Sequence, residues 1–110
     1  MFMLMIRAII RPERVGDVLS ELSKAGFPAV TKMDVMGRGR QRGIRFGDVY
    51  YDEIPKEMLL IVIKDEDRND VLEIITKNAR TGENGAFGDG KIFISPVEEA
   101  YTVSSGADQL

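Results

Sequence analysis

Two units of similar pattern, which start roughly fifty residues apart, constrain the fold of this chain most strongly. Each unit predicts a strand, then a helix, then a second strand. In the first unit, the apolar run Met3–Ile10 predicts a buried strand. Pro12 suits the first turn of a helix, whose apolar residues recur on one face until Gly26 ends it. Residues 29–36 predict the second strand.

The second unit repeats this order. The run at 57–64 is apolar enough to predict a strand that is buried on both faces. Asp67 or Asn69 is positioned to cap the following helix, in which apolar residues again recur on one side. A short strand is expected at 91–95, and Pro96 is expected to stop it.

This order of elements predicts an α+β, ferredoxin-like βαββαβ sandwich, formed as a single domain over residues 1–110. Two helices would cover one face of a four-stranded antiparallel sheet and leave the other face bare. Alternate residues of the third strand, such as Met58, Leu60 and Val62, would then lie open to water in a monomer. The pattern therefore also predicts an oligomer that packs sheet faces together.

The composition excludes several classes of function. The chain has no cysteine, which excludes a disulfide scaffold and any thiolate metal site, and no histidine, which removes the usual zinc ligand and general base. Its net charge of −3 gives no general attraction to nucleic acid, so any anion site must come from local placement of Arg and Lys. No apolar run approaches the length of a membrane span, and we expect a cytoplasmic protein.

The loop between the two units, 37–56, is too long and too rich in glycine for a tight hairpin, and such loops usually carry function. Its second half carries acids beside Tyr50 and Tyr51, whereas its first half carries arginines and no acid. These arginines are Arg38, Arg40, Arg42 and Arg45. The alternative is a solvated basic loop, which most charge runs are. The amide of Gln41 among the arginines suits contact with a ligand or metal instead.

A second glycine-rich stretch, 81–91, joins the second helix to the last strand. Its glycines allow positive φ angles and can present successive backbone N–H groups to an anion, while Lys91 adds a mobile positive charge. This pattern predicts a phosphate cradle, and a plain helix-to-strand connection is the alternative. The stretch is not a Walker loop, because Lys91 enters a strand and no Ser or Thr follows it.

Three motifs together resemble the PII family of signal-transduction proteins. Residues 8–12, Ala-Ile-Ile-Arg-Pro, are similar to the family's first strand and helix start. Residues 37–43 are similar to the base of its T-loop, and residues 79–82 with 88–91 are similar to its B-loop. The order and spacing match over nearly the whole chain. We therefore use the name T-loop for the long loop and B-loop for the second glycine-rich stretch.

The resemblance implies a homotrimer whose sheets face inward, with ATP or ADP in each cleft between subunits. At the base of the T-loop, Gly37 and Arg40 would lie against the nucleotide. Ile9 and Thr31 would border the adenosine. The B-loop residues expected to bind the nucleotide are Thr81, Gly88, Asp89, Gly90 and Lys91.

The resemblance implies two further ligands. Gln41 matches the family residue that joins Mg²⁺ and 2-oxoglutarate next to the ATP phosphates, and Lys56 matches the lysine that pairs with the 2-oxoglutarate carboxylate. Because Mg²⁺ takes oxygen ligands, here from phosphates, an amide and a keto acid, the keto acid should bind well only when MgATP is present. The chain would then be a sensor of energy state and nitrogen status, and not an enzyme.

A shortened T-loop and a B-loop insertion at 83–87 resemble the archaeal branch of the family that is encoded among nitrogen-fixation genes. In that branch, two related PII subunits form a complex that inhibits the dinitrogenase component of nitrogenase, and 2-oxoglutarate with ATP relieves the inhibition. This implies a homotrimer or a mixed oligomer with a sister PII subunit. The residues expected to contact the partner are Arg42, Arg45, Tyr50 and Tyr51. For the tyrosines, an ordinary hairpin position is the alternative.

The C-terminal segment departs from the family pattern. Thr102 and Ser104 stand where many PII proteins carry arginines that reach the phosphates. Nucleotide affinity would then be weaker, or the partner subunit would supply the charge. The segment 102–110 is small and polar, which predicts a flexible tail.

Two other functions fit parts of the sequence less well. Residues 40–46 resemble the phosphate loop of acylphosphatase, a phosphate-binding enzyme of the same fold class. That loop follows the first strand, however, whereas this one follows the second. An RNA-binding sheet would need paired aromatic residues on its central strands and an excess of positive charge. This sequence has neither.

Overall fold

The computed structural model describes residues 2–38, 44–46, 49–51 and 53–110. The strands are β1 (Met3–Ile10), β2 (Thr31–Gly37), β3 (Ile44–Phe46), β4 (Val49–Tyr51), β5 (Ile54–Lys64) and β6 (Gly90–Val97). The helices are α1 (Val15–Lys24) and α2 (Arg68–Ala79), and a 3-10 turn precedes each of them, at Pro12–Arg14 and Asp65–Asp67. Gly26, with a φ angle of 97°, follows α1 at the predicted stop.

Four strands form one antiparallel sheet in the order β2-β5-β1-β6. Strand β1 lies in the centre, where Met3 is opposite Lys64 of β5 and Val97 of β6. This element order and strand order are those of the predicted ferredoxin-like βαββαβ sandwich.

The two helices pack on one face of this sheet, and the core lies between the two layers. Alternate residues of β1 and β5 point into the core, as do residues one helical turn apart on α1 and α2. The buried side chains are Ile6, Ala8, Ile10, Val15, Val18, Leu22, Leu59, Ile61, Ile63, Val71, Ile75 and Ala79. Among the described residues, no polar or charged side chain belongs to this buried set.

The other face of the sheet carries no helix, and we call it the open face. Strand register places the following residues on it: Met3, Met5, Arg7, Ile9, Thr31, Met33, Val35, Gly37, Ile54, Lys56, Met58, Leu60, Val62, Lys64, Lys91, Phe93, Ser95 and Val97. Met58, Leu60 and Val62 are half-buried rather than fully open, whereas Met33 and Phe93 on the outer strands are 43% and 51% exposed. Most of the residues on this face are apolar, as predicted.

The T-loop contains more regular structure than the sequence predicts. Within it, β3 and β4 pair antiparallel, with Ile44 opposite Tyr51. Strand β5 begins at Ile54 rather than at Glu57, because β2 extends to Gly37 and pairs with it there. Lys56 therefore lies inside a strand, opposite Val35, and not in a loop.

The predicted end of the last strand is wrong, whereas the predicted start of the second helix at Asp67 is correct in position. Pro96 does not stop β6 but lies within it, opposite Leu4. This is tolerated because β6 is an edge strand, which can lack an N–H group on its outer side. Asp67 occupies the N-cap position of α2 without a capping side-chain hydrogen bond, and Asn69 lies inside the helix.

The C-terminal segment, for which the composition predicts a flexible tail, folds back on itself. The backbone N–H of Thr102 donates to the carbonyl of Ala107 at 2.9 Å, and that of Gln109 donates to Ala100 at 2.9 Å. Tyr101 and Asp108 form an isolated β-bridge between these bonds. The hydrogen bonds of the segment are therefore satisfied locally, within a small turn.

Within the described ranges, α1 and α2 both lack the length and apolar character that a membrane-spanning helix needs.

Leu22 tests the core, because its side chain lies on the inner face of α1 and is fully buried. Leu22→Ala should lower the free energy of unfolding by about 3 kcal/mol through lost apolar burial and the cavity left behind. The measurement is guanidinium unfolding at one fixed protein concentration. Ser20→Ala, at an exposed position of the same helix, should change it by less than about 0.5 kcal/mol. Equal effects of the two changes would contradict this core.

Candidate functional site

Asp89 organises the B-loop, because both of its carboxylate oxygens accept hydrogen bonds from the protein. Oδ2 accepts from the backbone N–H groups of Thr81 at 3.0 Å and Ala86 at 2.7 Å. Oδ1 accepts from Oγ1 of Thr81 at 2.6 Å and from Nε of Arg11 at 3.0 Å. The carboxylate thereby joins the two ends of the loop to each other and to the segment that follows β1.

These contacts control the ionisation of Asp89. Burial alone would raise the pKa of its carboxyl group, but the hydrogen bonds from Thr81, Ala86 and Arg11 outweigh burial and hold the pKa well below its ordinary value of 3.8. Asp89 is therefore ionised at neutral pH, and its negative charge accepts hydrogen bonds from Thr81, Ala86 and Arg11. Its direct contact with a nucleotide stays a prediction.

Arg11 is a residue of this site that the sequence did not single out. Besides its contact with Asp89, its Nη2 donates to the carbonyl of Phe87 at 2.7 Å. Arg11 lies between β1 and the turn that leads into α1, far along the chain from the B-loop. Only the fold brings the two together, and no spacing signal in the sequence could have revealed the pair.

Lys56 joins the root of the T-loop to the B-loop. Its Nζ donates a hydrogen bond to the carbonyl of Gly88. Burial and then the nearby charge of Arg11 lower the pKa of Lys56, and the charges of Glu13 and Asp89 offset part of this effect. The ammonium group of Lys56 therefore lacks full compensation for its positive charge.

Gly90 allows β6 to begin directly beside β1. Its φ angle is 129°, and a Cβ atom at this position would lie 2.0 Å from the carbonyl oxygen of Ile9. Any side chain would force these two backbones apart. This close approach places the B-loop next to the open face.

A cleft of about 440 Å³ opens where the B-loop meets the end of the open face, and its size is typical of small-molecule sites. It is lined by Ile9, Gly37, Arg38, Ile54, Lys56, Phe87, Gly88, Gly90, Lys91 and Phe93. Three of these residues are cations, the others are apolar or glycine, and no carboxylate is among the described lining residues. This chemistry suits an anion that carries an apolar or aromatic part.

The structure brings many of the predicted ligand-binding residues into this one cleft. They are Ile9, Gly37, Lys56, Gly88, Gly90 and Lys91. Thr81 and Asp89 do not line the cleft but hold the B-loop from within. Thr31 begins β2 and Gly37 ends it, which separates them by roughly 20 Å along the strand. One copy of the chain therefore does not bring Thr31 to its own cleft.

The remaining predicted residues belong to the T-loop. Arg40, Gln41 and Arg42 lie outside the described residues. The backbones of Arg45 and Tyr50 are directly opposite each other in the β3–β4 pair, and Tyr51 is opposite Ile44. The hairpin position that was the alternative for the tyrosines is therefore present, and their contact with a partner stays a prediction.

Two other features bear on ligand binding. In the described part of the chain, no group of three or more acidic side chains could hold a metal ion. A depression of about 630 Å³ beside α2 carries opposite charges on Glu73 and Lys77 and contains none of the predicted site residues.

Comparison with known proteins identifies the family. A family profile described as "Nitrogen regulatory protein P-II" matches residues 3–107. A protein of Methanobacterium ivanovii named "Nitrogen fixation nifHD region GlnB-like protein 1" is 61% identical over 101 residues, covering 92% of this chain and 93% of its own. A protein of the same name from Methanothermobacter marburgensis is 57% identical over 108 residues, covering 98% and 100%.

A solved structure agrees with these matches. The crystal structure of Arabidopsis thaliana PII bound to citrate has a TM-score of 0.78 and 34% identity, and the match covers 97% of this chain and 85% of that one. The chain belongs to the P-II family of nitrogen regulatory proteins. The predicted nitrogen-fixation branch of archaeal PII proteins is confirmed by the names and sources of the relatives. The ferredoxin-like fold is confirmed as well.

Asp89→Asn tests the carboxylate that organises the B-loop. A charge-assisted network should contribute about 2 kcal/mol to the free energy of unfolding at pH 7, and the amide removes it. Because folding lowers the pKa of Asp89, this stabilisation is present above the ordinary value of 3.8 and is lost as the pH falls through the lower folded value. The difference between wild type and variant should therefore narrow below pH 3.8.

Glu83→Gln is the matched control, since Glu83 is an exposed acid of the same loop. It should change the free energy of unfolding by less than about 0.5 kcal/mol. Urea unfolding over a pH series measures both variants. A deficit of Asp89→Asn that stayed constant down to pH 2 would show that the charge is not responsible.

Proposed function

We propose that this chain is a P-II-type sensor that binds ATP or ADP in the 440 Å³ cleft, together with Mg²⁺ and 2-oxoglutarate, and controls nitrogenase through its T-loop. One observation carries the proposal: six residues that the resemblance to PII proteins assigned to nucleotide or 2-oxoglutarate line a single cleft that is rich in cations. Regulatory function fits the family, and the family match includes residues 40–46, which favours a sensor over an acylphosphatase-like enzyme.

The charges of the cleft support nucleotide phosphates as ligands. Lys91 and Arg38 have exposed side chains at the cleft, and the glycines of the B-loop leave backbone open to an approaching oxyanion. The negative charge of Asp89 is compensated by hydrogen-bond donors of the protein. It should therefore repel the phosphates of a ligand only weakly. Ile9 and Phe93 offer apolar surface for the nucleoside.

Lys56 supports 2-oxoglutarate as a second ligand. In the structure, its ammonium group has the neutral carbonyl of Gly88 as a partner, and burial and Arg11 lower its pKa. A ligand carboxylate would stabilise the charged form of Lys56 better than a carbonyl does. The same cleft can thus select an acid next to the nucleotide.

Mg²⁺ fits the cleft only together with its ligands. No carboxylate is among the described lining residues, so oxygen donors would have to come from phosphates, the keto acid and the amide of Gln41. Bound Mg²⁺ would supply the link between ATP and 2-oxoglutarate. The lack of protein carboxylates in this lining favours coupled binding of the two ligands over independent binding.

The assembly we propose is a homotrimer, or a mixed oligomer with a sister PII subunit, whose open faces point inward. The apolar open face supports it, since a patch of this kind on a soluble protein usually marks a contact surface. The T-loop would contact the dinitrogenase component of nitrogenase through Arg42, Arg45, Tyr50 and Tyr51. The names of the relatives support the link to nitrogen fixation, and this setting implies a cytoplasmic protein.

Lys91→Gln tests the nucleotide site. Removing this charge should weaken ATP binding about tenfold in calorimetry, because it deletes a charge-assisted contact with phosphate. Lys77→Gln removes the same charge from an exposed position on α2 and should leave the affinity unchanged. Equal affinities of the two variants would place the phosphates outside this cleft.

Gln41→Ala tests the coupling of the ligands. It should abolish the effect of 2-oxoglutarate on ATP binding while keeping most of the affinity for ATP, because only the shared Mg²⁺ ligand is lost. Calorimetry with and without 2-oxoglutarate measures this. Equal loss of both ligands would move the 2-oxoglutarate site elsewhere.

The same variant tests the control of nitrogenase. Wild-type protein immobilised as its native oligomer should retain the dinitrogenase component and release it on addition of MgATP with 2-oxoglutarate. Gln41→Ala should retain the component under both conditions. Release of the dinitrogenase component from the wild type to the same extent with and without the ligands would contradict the proposed switch.

A further inference from the structure

Arg7 places a positive charge near the centre of the open face. It lies on β1, opposite Leu60 of β5 and Phe93 of β6, and its side chain is exposed. Among the described residues, it has no side-chain hydrogen bond or ion pair. Register places no carboxylate on the described part of the open face, so packing two open faces together would offer Arg7 no acid.

A charge in this position needs a partner once the face is covered. Burying an unpaired guanidinium group is unfavourable, because the charge loses its hydration, and this would oppose the apolar contact around it. A planar guanidinium is satisfied by acceptor oxygens and nitrogens, and it also stacks on aromatic ring systems. A nucleotide provides both kinds of partner.

The row of residues that contains Arg7 indicates where this nucleotide lies. Thr31, Leu60 and Arg7 are directly opposite one another on three neighbouring strands, which places Arg7 roughly 10 Å from Thr31. Thr31 is too far along β2 to serve the cleft of its own copy. Arg7 does not line that cleft either, although its neighbour Phe93 does. Thr31, Leu60 and Arg7 are not among the described lining residues of that cleft and are therefore available to the cleft of another copy.

We propose that Arg7 is a nucleotide-binding residue that acts between copies of the chain. Its guanidinium group contacts the nucleoside end of an adenine nucleotide whose phosphates lie against Lys91 of the neighbouring copy. This inference rests on the proposed nucleotide site and on the inward-facing assembly. Arg7 would also supply a positive charge near the nucleotide. This chain carries Thr102 and Ser104 at the C-terminal positions where the family resemblance leads one to expect arginines.

Arg7→Gln tests this contact in the intact oligomer. ATP affinity should fall about tenfold, whereas the affinity for inorganic tripolyphosphate, which lacks a nucleoside, should not change. Lys64→Gln is the matched control, because it removes a charge from the same face, at the end of β5 opposite Met3. It should alter neither affinity. An equal loss for both ligands would move the contact to the phosphates and overturn the assignment.

Mixed oligomers test whether Arg7 acts between copies. Arg7→Gln and Lys91→Gln chains are co-assembled after each has been shown to bind ATP weakly alone. If Arg7 serves the neighbouring copy, about a quarter of the clefts in a random mixture regain both residues and the wild-type affinity. If Arg7 serves its own copy, no cleft regains both residues, and a mixture without high-affinity sites overturns the inference.

Two outcomes of the ATP-binding measurements distinguish a failure of this inference from a failure of the proposed function. A wild-type oligomer that does not bind ATP contradicts the proposed function itself. A wild type that binds ATP, with an Arg7→Gln variant of equal affinity, overturns only the role of Arg7. Should Arg7→Gln disturb assembly in light scattering, Arg7→Lys keeps the charge without the planar group and should give an intermediate ATP affinity.

Discussion

The saturated carboxylate of Asp89 is the interaction on which the rest of the site depends. A glycine-rich loop loses much conformational entropy when it orders, so it needs strong local contacts to hold one shape. Asp89 supplies them, since a half-buried ionised carboxylate is stabilised by hydrogen-bond donors, and these come from Thr81, Ala86 and Arg11. The positions of Gly88, Gly90 and Lys91 at the cleft follow from this arrangement.

Lys56 connects the ordered B-loop to the T-loop, which we propose changes its conformation when ligands bind. Its bond to the Gly88 carbonyl joins β5, whose first three residues are the last residues of the T-loop, to the B-loop. A carboxylate ligand that replaced this carbonyl would change the contacts of both loops at once. Differential binding of this kind is what a ligand needs to shift the population of T-loop conformations.

The strengths and failures of the sequence predictions have separate physical causes. Apolar periodicity identified α1, α2 and the central strands correctly, because burial on one face imposes it directly. The position of Pro96 inside β6 does not follow from the sequence, because a strand tolerates proline there only at an edge of the sheet, and strand order alone decides which strands are edges. The early start of β5 was missed because Pro55 and Lys56 have no strand signal of their own and pair only because β2 lies beside them.

The sequence by itself determined the order of elements, the face that each helix buries, and the two glycine-rich loops with their cations, since all of these depend on local pattern and composition. Its motifs also indicated the family. Only the tertiary structure decided that Arg11 clamps Asp89, that Lys56 contacts Gly88, and that Arg7 shares a row with Thr31. These contacts join residues distant along the chain, and their geometry depends on strand register and loop closure, which residue type and spacing do not encode.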